Sequence, residues 1–291
     1  MGCACTAALA VSLLSPWLLT LLYWWMLSSR TPREAWRRGR LLLWASLGVL
    51  AVLGFGIDGV DWGTVEVAVP LVLLAQLLMA GFFEKKSIGS TLYGVGGRSL
   101  RVNLVASDQP TAFAMAFTGK IYVTTGLYRL VTPEEAAAVI AHEAGHREAL
   151  RPLPPAAVLT LLAVSAAELA EAVMNLASLC PGSAAAMILA GLTAWAFFNW
   201  AWEHLADIYS LRVTGLYAAQ ALFRITGARP EPPPRGPGRL LLEALRSLRP
   251  RRGPRGVGLL VNPHPPPRLR LWLLLRCSGL APPAWDDGAN P

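Results

Sequence analysis

The sequence predicts a mainly α-helical membrane protein with a small β-hairpin. Of its 291 residues, 54% are hydrophobic and only 15% are charged, whereas soluble domains carry about 25% charged residues. Several apolar runs approach the roughly 20 residues that a membrane-spanning helix needs. Two short apolar stretches flank Thr118-Gly119, a dipeptide typical of a hairpin turn.

The charged residues favour a lipid bilayer over nucleic acid as a partner. The formal net charge is +8, so nucleic-acid binding has to be considered. However, the arginines bracket apolar runs and fill a Pro-rich tail, and no nucleic-acid-binding motif is present. The four cysteines form neither a Cys-x-x-Cys pair nor a disulfide framework.

Residues 1–83 predict three N-terminal transmembrane helices, over Ala7–Leu27, Leu41–Ile57 and Val67–Phe83. The loop after the first run holds five arginines, and the loop after the second holds only acidic charges. The positive-inside rule therefore places the N-terminus outside and the chain after Lys85 in the cytoplasm. This predicts a multi-pass protein of the cell membrane.

A transmembrane hairpin is predicted at about residues 156–202, from the apolar runs Ala156–Leu179 and Ser183–Trp202. Its first helix carries Glu168, Glu171 and Asn175 on one face, which should look into a cavity or lie near the interface, because a carboxylate in lipid is costly. The hairpin enters and leaves on one side. Residues 84–276 are thus interpreted as one domain that includes the hairpin, and residues 277–291 as a C-terminal tail.

A capped helix carries the most informative motif. Thr132 is a good N-cap, Pro133 suits the first helical position and Glu135 completes a capping box. His142 and His146 then lie one turn apart on one face and can share one ion, with Glu143 positioned to activate water as general base. The alternative, two ordinary surface histidines, is weakened because the chain has only four histidines.

Two histidines leave a zinc site one protein ligand short. Glu203 follows the last apolar run, and Asp207 lies one turn further on. Glu203 could complete the ligands, and Asp207 could accept a hydrogen bond from a ligand imidazole. Both could instead be interfacial charges. His204 is a rival ligand, but its side chain points about 100° away from that of Glu203 on a helix.

The ordered motifs resemble those of the HtpX-type membrane zinc endopeptidases, relatives of the CAAX prenyl protease. The elements are His-Glu-Ala-Gly-His at 142–146, Glu203-x-x-Ala206-Asp207, Ala-Phe-Ala at 112–114 followed by residues 119–127, and His264-Pro-Pro with Arg270 six residues after the histidine. The resemblance covers about residues 70–276.

The resemblance implies a zincin-type (gluzincin) catalytic core with one Zn²⁺ per chain, held by His142, His146 and Glu203. It implies that His264 and Arg270 lie near the site and stabilise the oxyanion; the spacing of Arg268 does not fit that role.

Substrate binding is expected at the strand that begins Thr111-Ala112-Phe113. The family usually has Asn where this chain has Thr111. Independently of the resemblance, an edge strand there could bind an extended peptide by main-chain hydrogen bonds, although a purely structural hairpin is an equal alternative.

The function predicted from the sequence is a zinc-dependent endopeptidase that hydrolyses membrane or misfolded proteins at the cytoplasmic face. Its partners would be protein or peptide substrates and the bilayer. One alternative is a non-catalytic membrane scaffold with a degenerate zinc site, for which Thr111 is the sequence support. Another is a CAAX-type prenyl-protein protease, which usually has more spanning helices.

Overall fold

The computed structural model describes residues 2–55, 62–115, 118–177, 181–248 and 264–279. It confirms a predominantly helical fold with a small sheet. Several predicted features lie outside the described residues: residues 178–180 of the hairpin turn, 116–117 of the β-hairpin, the loop 249–258 and the tail beyond 279. The helices are α1 Gly2–Leu27, α2 Pro32–Phe55, α3 Trp62–Lys86, α4 Thr125–Leu130, α5 Pro133–Ala149, α6 Pro155–Ala177, α7 Pro181–Thr214, α8 Tyr217–Thr226, α9 Pro237–Ser247 and α10 Pro267–Cys277. The strands are β1 Ser87–Val95, β2 Arg98–Val105, β3 Ala112–Ala114 and β4 Ile121–Thr124.

Helices α1, α2, α6 and α7 pack into an apolar bundle. Among the described residues, three helices are long and apolar enough to cross a membrane: Leu9–Leu27, Pro155–Ala177 and Pro181–Thr214. They include both helices of the predicted hairpin. Helices α2 and α3 form where spans were expected, but they are not among these three. Their crossing of the bilayer stays a prediction.

The face of α6 that was predicted to carry three polar side chains is divided between core and surface. Glu168 is buried, whereas Glu171 and Asn175 are exposed. The burial of Glu168 agrees with the expectation that a carboxylate in this helix points into the protein.

Helix α7 links the apolar bundle to the polar half of the molecule. It is continuous for 34 residues, about 51 Å at 1.5 Å per residue, and so exceeds a hydrocarbon core of about 30 Å. The sequence suggested an apolar helix ending near Trp202, but the helix continues to Thr214. This extension carries Glu203 and Asp207 beyond the most apolar segment.

A four-stranded sheet lies beside α5, in the order β1-β2-β4-β3. Strands β1 and β2 form an antiparallel hairpin around Gly96 and Gly97, whose positive φ angles of 58° and 75° suit a tight turn. Strand β2 pairs in parallel with β4, and β4 pairs antiparallel with β3. The predicted β3–β4 hairpin is thus present with shorter strands, and β3 is left at the sheet edge.

Helices α5 and α7 cross with almost no space between them. A Cβ atom on Gly145 would lie 2.8 Å from the Ala206 Cα. On either side of the crossing, the Trp202 Nε1 donates to the His146 carbonyl (2.8 Å) and the Ser210 Oγ donates to the Ala138 carbonyl (2.7 Å). These contacts fix the distance between the helix that bears the histidines and the helix that bears the carboxylates.

We expect Gly145→Ala to destabilise the protein by about 1–3 kcal/mol, because the added methyl group has to push two backbones apart. Thermal unfolding of the detergent-solubilised protein measures this change. Gly48→Ala, in the middle of α2 with open space around it, is the matched control and should match or slightly exceed the wild type. Equal stability of the two variants would contradict the tight crossing.

Candidate metal centre

Helix α5 begins as the sequence predicts. The Thr132 N–H donates to the Glu135 carboxylate (2.8 Å), and the Glu135 N–H donates to the Thr132 hydroxyl (3.3 Å). Glu135 is also paired with Arg224 of α8 at 2.7 Å. The helix brings the metal-binding atoms of His142, Glu143 and His146 to within 4.8 Å of one another.

Glu203 of α7 faces both histidines. Its carboxylate oxygens lie 3.5 Å from the Nε2 of His142 and 3.6 Å from the Nε2 of His146. Ligand atoms that bind one Zn²⁺ at tetrahedral angles, each about 2.0–2.1 Å from it, lie roughly 3.4 Å apart. The two imidazoles and the carboxylate therefore fit a zinc ion in both spacing and ligand chemistry.

Asp207 and Trp202 orient the two imidazoles. The Asp207 Oδ1 lies 2.9 Å from the Nδ1 of His142, so a proton on Nδ1 leaves the Nε2 lone pair directed at Glu203. The His146 ring packs edge-on against the Trp202 ring, with centroids 5.0 Å apart. Its Nδ1 is buried without a hydrogen-bond partner among the described residues.

Arg270 contacts both buried carboxylates and offsets part of their charge. Its Nε and Nη2 donate to Asp207 at 2.7 and 2.6 Å, and its Nη1 lies 3.1 Å from Glu203. His264 also reaches this cluster, with its Nδ1 3.1 Å from a Glu203 oxygen. The structure thus brings together His264 and Arg270, which the resemblance placed near the site. Arg268 points elsewhere and pairs with Glu231 and Glu243.

The two histidines have opposite electrostatic environments. Burial lowers the pKa of His146 to about 3, which favours the neutral imidazole that a metal requires. Burial also acts to lower the pKa of His142, but hydrogen bonds to Asp207 and Glu203 outweigh it and raise that pKa to about 10. The carboxylates of Asp207 and Glu203 therefore favour a positive charge at the His142 ring. Burial raises the pKa of Glu143, as suits a general base.

His204, the rival ligand, turns away from the motif helix. Its Nε2 is 2.8 Å from the Tyr23 hydroxyl of α1, and both side chains are fully buried. Tyr23 also packs against Phe197 and Trp200. The first helix thus supports the turn of α7 that presents Glu203.

The edge strand β3 lies directly beside the motif helix. The Thr124 N–H donates to the Thr111 carbonyl, and the Met115 N–H donates to the Lys120 carbonyl. Odd-numbered residues therefore bond to β4, so that Ala112 and Ala114 direct their backbone groups outward. The Ala114 N–H faces Glu143 and opposes the rise in the pKa of that carboxylate. The Phe113 ring stacks on Tyr122, 5.3 Å between centroids.

A cavity of about 800 Å³ runs along this edge and is lined by all the predicted site residues, namely Thr111, Ala112, Phe113, His142, Glu143, His146, Glu203, Asp207, His264 and Arg270. The sequence interpretation missed two neighbours of the site, Ala114 and Trp202. The alternation of β3 could have indicated Ala114. Trp202 lies four residues before Ala206 and thus on the face of α7 that contacts α5.

Comparison with known protein families agrees with this geometry. The family model for peptidase family M48 matches residues 90–276, more than half of the chain. The chain belongs to peptidase family M48. This M48 chain is therefore a metallopeptidase of a zinc-dependent family, and the predicted relationship to HtpX-type proteases is confirmed at the family level. Corresponding searches find no matching curated protein and no matching solved structure.

We expect Arg270→Met to cost about 3–5 kcal/mol of stability in the presence of a chelator, because Asp207 and Glu203 would stay buried and lose the guanidinium that contacts both of them. Added Zn²⁺ should restore much of this loss. Urea unfolding followed by tryptophan fluorescence, with and without Zn²⁺, measures both effects.

Arg268→Met is the matched control. It breaks a more exposed ion-pair cluster, so its loss should be about 1 kcal/mol or less and insensitive to Zn²⁺. An Arg270→Met protein as stable as this control would contradict the role of Arg270 in charge compensation.

Proposed function

We propose that this M48 metallopeptidase is a membrane endopeptidase with one Zn²⁺ held by His142, His146 and Glu203. The observation that carries the proposal is the approach of one Glu203 carboxylate to both imidazoles, at 3.5 and 3.6 Å. When bound, Zn²⁺ would supply Lewis acidity, which acidifies water and polarises a carbonyl oxygen. The protein's own groups would supply proton transfer, charge compensation and substrate alignment.

Glu143 is the proposed general base. It is buried, follows the first histidine on α5 and lies within 4.8 Å of both imidazoles. Its raised pKa means that a proton taken from the attacking water is held well enough to be passed to the leaving amine nitrogen. Asp207 keeps the His142 ring in its orientation during this transfer.

Arg270 is proposed chiefly as a positioning residue, because its three guanidinium nitrogens are already directed at carboxylates. His264 is the better candidate for stabilising an oxyanion. Its ring is about half exposed, with 47% of its side-chain surface accessible, and it lies at the Glu203 end of the cavity. A ring N–H there can donate to developing negative charge.

Strand β3 is proposed to align the substrate. Ala112 and Ala114 line the cavity with backbone groups that are not bonded to β4, so an extended peptide could add to the sheet through its main chain. Thr111, at the start of the edge, would present a hydroxyl where the related proteases present an amide. Such main-chain binding suits substrates of varied sequence, as expected for membrane or misfolded proteins.

Replacement of the proposed base, Glu143, should lower catalysis without removing the metal. We expect Glu143→Gln to lower casein hydrolysis by about 10²–10⁴-fold while keeping about one zinc per chain by metal analysis. His146→Ala should lose the zinc as well. Glu134→Gln, an exposed residue of the same helix, is the matched control and should keep both. Casein hydrolysis that persists in Glu143→Gln would remove that residue from its role.

The same assay distinguishes the alternative functions. Cleavage of casein without cleavage of a prenylated peptide supports the general endopeptidase, whereas the reverse supports a prenyl-protein protease. Purified zinc-loaded protein that cleaves neither would favour a non-catalytic scaffold.

The active site is proposed to face the cytoplasm, on the basis of the arginines just before and within the first turns of α2 and the lysines that end α3. A cysteine in place of the exposed Asp108, in a chain whose four native cysteines are replaced by serine, reports the side. A membrane-impermeant maleimide should label it in inside-out vesicles and not in intact cells. Labelling in intact cells would show that Asp108 faces the outside and would contradict the proposed topology.

A further inference from the structure

One end of the cavity carries an arginine that the proposed chemistry does not use. Arg147 follows Glu143 by one helical turn, so the two side chains lie on the same side of α5, and both line the cavity. A Cβ atom on Gly119 would lie 3.1 Å from the Arg147 Nη1. The guanidinium therefore lies against the turn between β3 and β4.

The positive charge of Arg147 is not balanced by its surroundings. The neighbouring cations are each paired: Lys120 with Glu84 at 2.7 Å, and Arg151 with Glu148 at 3.2 Å. No carboxylate in the described part of the chain lies within 4 Å of the Arg147 guanidinium. Arg224 of α8, another arginine that contacts α5, is likewise paired, with Glu135.

The fold sets the direction in which a bound peptide would pass Arg147. Ala114 of β3 faces Glu143, and Gly119, just beyond β3, contacts Arg147. The edge strand and α5 therefore run the same way. Antiparallel strand pairs are the commoner arrangement, and a peptide antiparallel to β3 has its N-terminal part at the Arg147 end.

The distance between Glu143 and Arg147 along α5 indicates which residue of the substrate would lie beside Arg147. One turn from Glu143 to Arg147 advances about 6 Å, and an extended peptide rises about 3.3 Å per residue. The residue beside Arg147 is thus about two positions before the cleaved bond.

We propose that Arg147 is a specificity-determining residue that selects peptides with an Asp or Glu side chain at the second or third residue before the cleaved bond. This inference rests on the proposed function, because it takes the position of the cleaved bond from Glu143. An exposed ion pair contributes little on its own. The preference should therefore be graded, about two- to five-fold for Glu over Gln, and weaker at high salt.

Matched quenched-fluorescent peptides test the proposal on the zinc-loaded full chain. A casein sequence whose cleavage site has been mapped is made with Glu, Gln or Lys at the second or the third residue before the cleaved bond. The wild type should cleave in the order Glu, Gln, Lys. Arg147→Gln should abolish the preference, and Arg147→Glu should reverse it. Arg101→Glu, on β2 away from the edge strand, changes net charge equally and should keep the wild-type order.

Binding separates failure of this inference from failure of the proposed function. Anisotropy of the same peptides on Glu143→Gln protein requires no turnover and should show the same order. If no peptide is cleaved but this order appears and Arg147→Gln removes it, the endopeptidase proposal fails and Arg147 is left as a residue that binds acidic peptides.

Several results would overturn the inference. They are equal binding of the three peptides, reversal by Arg101→Glu as well, or a charge preference confined to residues after the cleaved bond. A further one is Arg147→Gln weakening binding to phosphatidylglycerol vesicles while peptide preference stays unchanged, which would assign Arg147 to lipid headgroups.

Discussion

The burial of two carboxylates on one turn of α7 is the constraint on which the site depends. Glu203 and Asp207 are 8% and 4% exposed, and isolated buried charges of this kind are strongly destabilising. Their charge is balanced by Arg270, which contacts both, and by the imidazoles of α5. The same negative charge favours a divalent cation in the space between the histidines. The two carboxylates therefore influence both the stability of the fold and the affinity for metal.

The packing of α5 against α7 fixes the positions of these charged groups. The missing side chain at Gly145 lets α5 approach the Ala206 backbone, and hydrogen bonds from Trp202 and Ser210 hold the crossing from both sides. Helix α7 is continuous from the apolar bundle to this crossing. Its position is therefore set by the bundle, including the buried contact between Tyr23 and His204. The proposed metal ligands are carried by helices, whereas the proposed alignment of the substrate depends on a sheet edge.

Locally encoded features could be predicted from the sequence, and features that need distant contacts could not. The capping box of Thr132 and Glu135 and the one-turn spacing of His142 and His146 depend on short-range geometry and are present in the structure. The β1–β2 hairpin was missed although Gly96-Gly97 is a recognisable turn signal and residues 99–104 of β2 alternate strictly between polar and apolar; only the residues of β1 lack this alternation. The parallel pairing of β2 with β4 has no local signature at all. The partners of Arg270 and His204 likewise depend on how helices pack, which spacing along the chain does not determine.

The delivery of Arg270 by α10 has a consequence for biogenesis. Ribosomes make the chain from its N-terminus, so the histidines of α5 emerge first, Glu203 and Asp207 follow, and the arginine that balances them comes last. Until α10 has been made and has docked against α7 and α8, the two carboxylates lack their strongest fixed partner. Charge compensation of the two carboxylates is therefore a late event, which has to wait until the ribosome has passed Arg270 and α10 has folded against the rest of the chain.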